Sequence, residues 1–224
     1  MKYVDRNPDS EWGIIEADNF TVSQAKDKRF FVVDHFYDDP FGVRDFALKQ
    51  TYFPGEGSVG MRTRKQFFFD GLKERFESII GVKIADHTEA GLGWYDEGIN
   101  GRFQYCSGGT PSVFHCDTQK WAAVIYLTPD APPQSGTCFY RHRETKIHHN
   151  TQMDWGPLGD GFKVFPGHTF LDGTPYEMVD TVGNIFNRLV IFDGGLIHSG
   201  VNYFGHNMEN SRLFHIFFFD QVWD

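Results

Sequence analysis

The sequence contains a His-x-Asp tripeptide, His115-Cys116-Asp117, and a further histidine, His198, far downstream of it. On a β-strand the side chains of residues i and i+2 point to the same face, so His115 and Asp117 could contact one metal ion. Two histidines and one carboxylate on one side of an octahedron leave three neighbouring coordination positions free. Such a set is typical of the iron sites of non-haem Fe(II) oxygenases. The sequence thus indicates oxidative chemistry at a single metal ion.

The tripeptide alone is weak evidence, because a chain with 10 histidines is expected to contain about one such match by chance. Two similar segments, His87-Thr88-Glu89 and His142-Arg143-Glu144, lack an apolar strand to carry them. His115 instead precedes a continuous apolar run at residues 121–127, which is the pattern of a buried strand. The alternative interpretation of His115 and Asp117 is a hydrogen-bonded pair at the end of a strand.

The composition favours one β-rich domain spanning residues 1–224, a length that can bury a sizeable core. The chain has 24 Phe, 24 Gly and 10 Pro, which indicates short aromatic strands separated by turns rather than a helical bundle. The net charge of -9 argues against binding to nucleic acid, because that affinity comes mainly from Lys and Arg. It leaves open a small anionic substrate held by a local basic cluster.

The sequence gives no sign of export or membrane insertion. Residues 1–10 are polar, without the apolar stretch of a secretory signal, and no apolar run approaches transmembrane length. Cys106, Cys116 and Cys138 are odd in number and unpatterned, as expected for reduced cysteines. We therefore expect a cytoplasmic protein, with its oligomeric state left open.

The order of predicted elements indicates a jelly roll. Residues 30–34 read as a strand, followed by helices at about 39–50 and 70–81 that have capping signals at their ends. From residue 101 onwards the pattern changes to strands without intervening helices. The expected strands are 101–106, 113–117, 121–128, 136–140, 189–192, 201–204 and 212–219. We predict a mainly β (α+β), cupin-like double-stranded β-helix whose N-terminal helices pack on one sheet.

The predicted domain has three parts. Residues 1–100 form a supporting region, and residues 101–220 form the jelly-roll core. An insertion at residues 141–186 is rich in Gly, Pro and His and has weak periodicity. It is either a lid or binding loop, or an ordinary surface insertion with short strands of its own.

Residues 101–220 resemble the Fe(II)- and 2-oxoglutarate-dependent oxygenases, nearest the prolyl-hydroxylase-type branch. The resemblance rests on the order His115, Asp117, His198 and Arg212 and on their spacing. It implies a jelly roll with Fe(II) held between its sheets by the two histidines and the aspartate. It also implies 2-oxoglutarate and dioxygen as cosubstrates, and hydroxylation of a small molecule or a peptide side chain with release of succinate and carbon dioxide.

The resemblance further implies residues that contact the cosubstrate. Arg212 would bind the far carboxylate of 2-oxoglutarate, since a guanidinium offers a matching two-pronged donor. Tyr105 and Tyr126 stand where such enzymes often have tyrosines that reach the cosubstrate. Arg212 and Phe214 share a strand face, so the arginine would point into an apolar barrel and require an anion there. A salt bridge to an internal acidic residue, and ordinary hydrogen bonds for the tyrosines, are the alternatives.

Other features leave the substrate open. Phe214 replaces a small hydroxyl residue that many relatives carry, and Asp117 favours a hydroxylase or demethylase over the related halogenases. Arg62, Arg64 and Lys65 form a basic cluster, and we expect Arg102 and Arg141 near the barrel mouth; such clusters are usually solvated faces. Two alternatives remain: a cupin-like metal enzyme that does not use 2-oxoglutarate, and a non-catalytic jelly-roll binding module.

Overall fold

The computed structural model describes residues 2–3, 15–16, 30–55, 59–154, 161–164 and 171–223. The strands in these residues are β1 Lys2–Tyr3, β2 Ile15–Glu16, β3 Phe30–Val33, β4 Tyr52–Pro54, β5 Met61–Thr63, β6 Arg102–Cys106, β7 Trp121–Tyr126, β8 Thr137–His142, β9 Tyr176–Val182, β10 Leu189–Asp193, β11 His198–Gly200 and β12 Arg212–Phe219. The helices are α1 Pro40–Leu48, α2 Leu72–Ile80, the single turn α3 Gly161–Val164 and a 3-10 turn at Asn150–Gln152.

The strands form two antiparallel sheets. The larger sheet has the order β2-β1-β3-β10-β7-β12-β6-β5-β4, and the smaller sheet has the order β11-β8-β9. Apolar side chains from both sheets, among them Phe30, Phe139 and Phe192, pack together between them. The rings of Phe30 and Phe139 stack with their centroids 4.8 Å apart. The predicted mainly β jelly roll is therefore confirmed.

The central strands of the larger sheet are apolar on both faces because each face contacts a different layer. In β7, Val124 and Tyr126 point between the sheets, whereas Ala123 and Ile125 point outward. The outward face packs against α1 and α2, and the Phe76 ring of α2 lies 5.0 Å from the Phe217 ring of β12. A strand covered on both sides reads as a continuous apolar run rather than an alternating one.

The two N-terminal helices begin and end close to the predicted signals. The Asp39 carboxylate accepts a hydrogen bond from the Gly42 backbone at 2.9 Å and so caps α1, whose first residue is Pro40. Gly81 ends α2 with a positive φ of 76°, a conformation that glycine adopts at little cost. As expected, these helices cover one face of the larger sheet. No helix in the described ranges is both long and apolar enough to cross a lipid bilayer.

Two predicted strands differ from the structure. Residues 113–117 make only one isolated bridge, between His115 and His198. The strand predicted at 201–204 lies earlier, at β11, because Asn202 adopts a positive φ of 49° that interrupts extended backbone. The segment with His115 is joined to the chain around His198 by this bridge and by a hydrogen bond from the Asp117 N–H to the Gly194 carbonyl.

The insertion at residues 141–186 contributes to the smaller sheet. Its strand β9 pairs with β8 through a β-bulge between Phe139 and Tyr140. The described part of the insertion thus has regular structure of its own, as in the second of the two interpretations. Residues 155–160 and 165–170 lie outside the described ranges.

Candidate metal centre

The structure brings His115, Asp117 and His198 together between the two sheets. One potential ligand atom from each residue lies within 4.8 Å of the others. The Nε2 atom of His115 is 3.5 Å from Asp117 Oδ1, and the Nε2 atom of His198 is 3.4 Å from Asp117 Oδ2. His198 and Asp117 are largely buried, while His115 is partly open to the cavity.

Backbone carbonyls fix the protonation of both imidazole rings. His115 Nδ1 lies 2.9 Å from the Val113 carbonyl, and His198 Nδ1 lies 2.8 Å from the Leu196 carbonyl. Because a carbonyl oxygen can only accept, each Nδ1 carries the proton and donates it. Each Nε2 is then the nitrogen that faces Asp117 and that a metal ion could use, which is the arrangement of metal-binding histidines.

The donor set fits a divalent cation. Asp117 Oδ2 is buried and has no hydrogen-bond partner among the described residues. Two imidazole lone pairs facing a carboxylate would repel it, and a cation between the three groups would satisfy all of them. Two neutral nitrogen ligands with one carboxylate, arranged on one side of the ion, match the preference of Fe(II).

Burial dominates the electrostatics of this cluster. It raises the pKa of Asp117 to about 6, although interactions with the neighbouring His115 and Arg62 oppose the change. Burial also lowers the pKa of His198 well below its ordinary value, with the neighbouring His115 adding to the effect. His198 is therefore neutral near pH 7, as a metal ligand must be.

The turn before His198 is held by charged and backbone contacts. The Asp117 N–H donates to the Gly194 carbonyl at 2.7 Å. Asp193 accepts from Lys120 and pairs with His149 at 3.1 Å, and these hydrogen bonds, against the effect of burial, lower its pKa to about 2. His149 belongs to the insertion, so the insertion is fastened beside the metal centre.

A cavity of about 330 Å³ opens from the metal cluster into the barrel. The cluster forms part of its wall, and the alternate residues of β12 form another part, as their shared strand face predicted. The β12 residues lining it are Arg212, Phe214, Ile216 and Phe218. The cavity is mainly apolar with a few polar groups, the usual character of a small-molecule site.

Arg212 lies buried in this cavity, without an acidic partner among the described residues. Its side chain is 2% exposed, and its Nη2 group is 3.4 Å from Thr137 Oγ1. The guanidinium centre lies 5.3 Å from each of the Tyr126 and Tyr203 ring centroids. Its Nε has no hydrogen-bond partner, and Arg212 forms no salt bridge within the described part of the chain. The alternative of an internal salt bridge is therefore not found there.

The two tyrosines assigned to the cosubstrate lie on different sides of the larger sheet. Tyr126 is buried near Arg212, and its hydroxyl lies 2.8 Å from Thr137 Oγ1. Tyr105 instead packs on the outer face, with its ring centroid 5.2 Å from that of Tyr52. Tyr105 pairs across the ladder with Leu213, and directly opposite residues share a face. The assignment of Tyr105 to the cosubstrate is thus corrected.

The structure separates the arginines that the sequence grouped together. Arg62 lines the cavity and is buried, whereas Arg64 is exposed, with its guanidinium 3.9 Å from the Phe53 ring centroid. Arg141 forms an exposed ion pair with Glu177 rather than bordering the cavity. The position of Arg62 inside the cavity had no signal in the sequence, because it depends on how β5 pairs with β6.

Comparisons with known proteins agree with this fold. Residues 109–211 match a family of unknown function, DUF6445. No curated protein sequence gives a significant match. The structure of HygX from Streptomyces hygroscopicus with nickel and 2-oxoglutarate bound is similar, with a TM-score of 0.52 and 11% identity over 87% of this chain and 83% of that chain.

Two further solved structures complete the comparison. HygX with nickel, 2-oxoglutarate and hygromycin B bound gives a TM-score of 0.50 and 10% identity over the same shares, 87% and 83%. A Pseudomonas putida prolyl-4-hydroxylase gives 0.46 and 13% identity over 90% of this chain and 97% of that chain. The chain therefore has the same overall fold as HygX, and its resemblance to the Fe(II)- and 2-oxoglutarate-dependent oxygenases is confirmed at the level of the fold.

Proposed function

We propose that this protein is an Fe(II)- and 2-oxoglutarate-dependent dioxygenase that hydroxylates a small molecule, or a peptide side chain, with release of succinate and carbon dioxide. The observation that carries the proposal is that one cavity contains both a potential metal site and a buried arginine. The His115, Asp117 and His198 cluster is a donor set for a cation, and the buried Arg212 forms no salt bridge within the described residues. Ferrous iron and a dicarboxylate would satisfy both.

The three clustered residues would hold the iron. When bound together with dioxygen and 2-oxoglutarate, iron would supply the oxidation of an unactivated C–H bond. Hydrogen bonds from Nδ1 to backbone carbonyls orient the His115 and His198 rings so that both Nε2 atoms face one point. The Asp117 carboxylate provides the negative charge that partly neutralises the ion.

Arg212 would bind the far carboxylate of 2-oxoglutarate. A guanidinium with a free Nε and no acidic neighbour is costly in an apolar cavity, and a carboxylate ligand removes that cost. Tyr126 and Thr137 are linked by a hydrogen bond beside it and would complete the polar end of the site. HygX, whose fold this chain shares, was solved with 2-oxoglutarate and nickel bound, which supports the assignment.

The cavity walls would keep water from the reaction and limit the substrate to a small group. A volume of about 330 Å³ is at the lower end of the range for ligand pockets, and 2-oxoglutarate would take part of it. A free small molecule, or one side chain of a peptide, fits these dimensions.

The direct test is anaerobic addition of Fe(II) and 2-oxoglutarate to the purified protein. We expect a weak visible charge-transfer band that His198→Ala abolishes, followed by succinate release when air is admitted. The absence of the band in the wild-type protein would contradict the proposal. Activity that survives Arg212→Ala would favour a cupin-like metal enzyme without 2-oxoglutarate.

A further inference from the structure

The cavity contains a second buried arginine that the proposed function does not use. Arg62, on β5, lines the same cavity as the metal cluster and is 9% exposed. Its Nε donates to Gln104 Oε1 at 2.8 Å. It forms no salt bridge within the described residues, so its charge has no counter-ion there.

Gln104 holds this arginine in a fixed orientation. The Gln104 Nε2 group donates to the Val59 carbonyl at 2.7 Å, which leaves Oε1 to accept from Arg62. The Arg62 Nε is thus occupied, and this is the hydrogen bond that Arg62 makes within the described residues, while the residue lines the cavity. A guanidinium presented in this way offers a preorganised pair of donors.

Arg62 keeps its charge at neutral pH. Burial, with a smaller contribution from Arg102, lowers its pKa to about 10, which is still well above 7. The Asp117 carboxylate raises the pKa of Arg62 by its charge, but the two groups form no ion pair within the described residues. A buried guanidinium without a paired carboxylate is unfavourable, so retaining one in a mainly apolar cavity indicates an anionic ligand.

The two cavity arginines occupy separate parts of the larger sheet. Arg62 pairs in register with Gln104, and Gln104 pairs with Phe214, which lies two residues after Arg212. Two strand spacings and a two-residue step place the Cα atoms of the arginines about 12 Å apart. Arg212 is directed towards Tyr126, on the side away from β5. One carboxylate therefore does not have to satisfy both arginines.

We propose that Arg62 binds an oxyanion of the primary substrate, which is then a small molecule joining a carboxylate, or a group of the same shape and charge, to an apolar body. This rests on the proposed function for the oxidation step. Apolar side chains that line the same cavity would contact the apolar body. Those lining the cavity are Val59, Ile99, Val113, Ile216 and Phe218.

The test compares acids with their own amides. The protein is first loaded with Ni(II) and 2-oxoglutarate, a complex that carries out no turnover. Calorimetric titration then measures its affinity for aliphatic carboxylic acids and amino acids of three to six carbons, and for the primary amide of each. We expect at least one acid to bind about tenfold or more tightly than its amide, the loss expected when a charge-assisted hydrogen bond is removed. Phosphonate and sulfonate analogues of that acid then distinguish the kinds of oxyanion.

Matched variants assign the preference to Arg62. Arg62→Gln is expected to remove the preference for the acid, and Arg62→Lys to weaken it because one charge remains but the fork is lost. Arg64→Gln changes an exposed arginine two residues away and should leave binding unchanged. All three variants should bind 2-oxoglutarate like the wild-type protein.

Four results would overturn the inference: no acid in the panel binds, acids bind no better than their amides, Arg62→Gln keeps the preference, or Arg62→Gln loses 2-oxoglutarate instead. The comparison of acid and amide in wild-type protein holds even if Arg62→Gln does not fold. The proposed function is tested separately, because calorimetry with Ni(II) requires no turnover. It would be rejected if the wild-type protein gave no charge-transfer band with Fe(II) and 2-oxoglutarate.

Discussion

His115 and His198 lie opposite each other in a single antiparallel bridge, in which the backbone N–H of each donates to the carbonyl of the other at 3.1 and 2.9 Å. Each ring also donates from Nδ1 to the carbonyl two residues earlier, at Val113 and Leu196. The two histidines therefore use the same local geometry from opposite strands. Backbone contacts thus orient both rings towards the same point.

Removal of a metal ligand should abolish stabilisation by metal. In wild-type protein, Ni(II) at about 100 times its Kd should raise the free energy of unfolding by about 2.7 kcal/mol. Asp117→Asn and His198→Ala should lose this increase, as seen by thermal unfolding with and without Ni(II). His87→Ala, which changes an exposed histidine outside the cluster, should keep it. An unchanged increase in both cluster variants would rule out this metal site.

Metal-free Asp117→Asn should be at least as stable as the wild-type protein. The Asp117 carboxylate is buried with an unpartnered oxygen, and a neutral amide avoids the desolvation of that charge. Chemical unfolding at pH 7 in the presence of a chelator measures the difference. A clear loss of stability would mean that the carboxylate has a structural role independent of metal.

Arg212→Met should separate stability from cosubstrate binding. Replacement of an unpaired buried charge by an apolar side chain of similar length should leave the ligand-free protein equally or more stable. The same change should weaken 2-oxoglutarate binding by about 2 kcal/mol or more, because the far carboxylate loses its charged partner. Urea unfolding and titration of the iron-loaded protein measure the two effects. Full 2-oxoglutarate affinity in the variant would reject the role of Arg212.

The two tyrosines should differ when their hydroxyls are removed. Tyr126→Phe removes a buried hydroxyl that is hydrogen-bonded to Thr137 beside Arg212, and should weaken 2-oxoglutarate binding by about 1 kcal/mol. Tyr105→Phe, on the outer face, should have no effect on that affinity. Equal effects of the two substitutions would contradict the placement of these side chains.

Stability should fall as the pH decreases below 6.5 because of His215. Its Nε2 donates to the Gly101 carbonyl at 3.0 Å, so its Nδ1 accepts from the Tyr37 hydroxyl at 2.8 Å, and burial lowers its pKa to about 3. The pKa of a histidine in the unfolded chain is about 6.5. Between pH 6.5 and pH 3 the His215 side chain is therefore protonated in the unfolded chain but neutral in the folded protein. The stabilisation from this group is complete above pH 6.5 and decreases towards pH 3. It should account for about 2 kcal/mol between pH 7 and pH 5.

Urea unfolding at several pH values tests the His215 prediction. His215→Gln should lower stability at pH 7, where the network with Tyr37 is lost, but should flatten the dependence on pH by about one proton. His206→Gln, at an exposed position, should leave the wild-type slope unchanged. An identical slope in His215→Gln would contradict the low pKa of His215.

The sequence was sufficient to predict the orientation of side chains that depends only on alternation along a single strand. The alternation along β12 correctly put Arg212 and Phe214 on the cavity face, and the continuous apolar run of β7 correctly indicated a buried strand. Tyr105 was misplaced because its spacing from His115 says nothing about which face of β6 it occupies. That face is set by its pairing with Leu213, a long-range register that no local pattern encodes.

Arg62 was recognised only as part of a basic cluster for the same reason. Arg62 and Arg64 would share a face on an extended strand, yet β5 ends at Thr63 and the chain bends there. Only one of the two arginines therefore enters the cavity. Its partner Gln104 is distant in sequence and meets it through the pairing of β5 with β6.

The strand that carries Arg62 lies near one margin of the larger sheet, with only β4 beyond it among the described strands. The histidine bridge and Arg212 belong to other segments, so under the proposed roles the chemistry and the choice of substrate depend on different stretches of chain. Exchange of the β4–β5 hairpin could redirect the protein to a new compound while its redox machinery stays intact. An architecture divided in this way can diversify by replacing one peripheral segment.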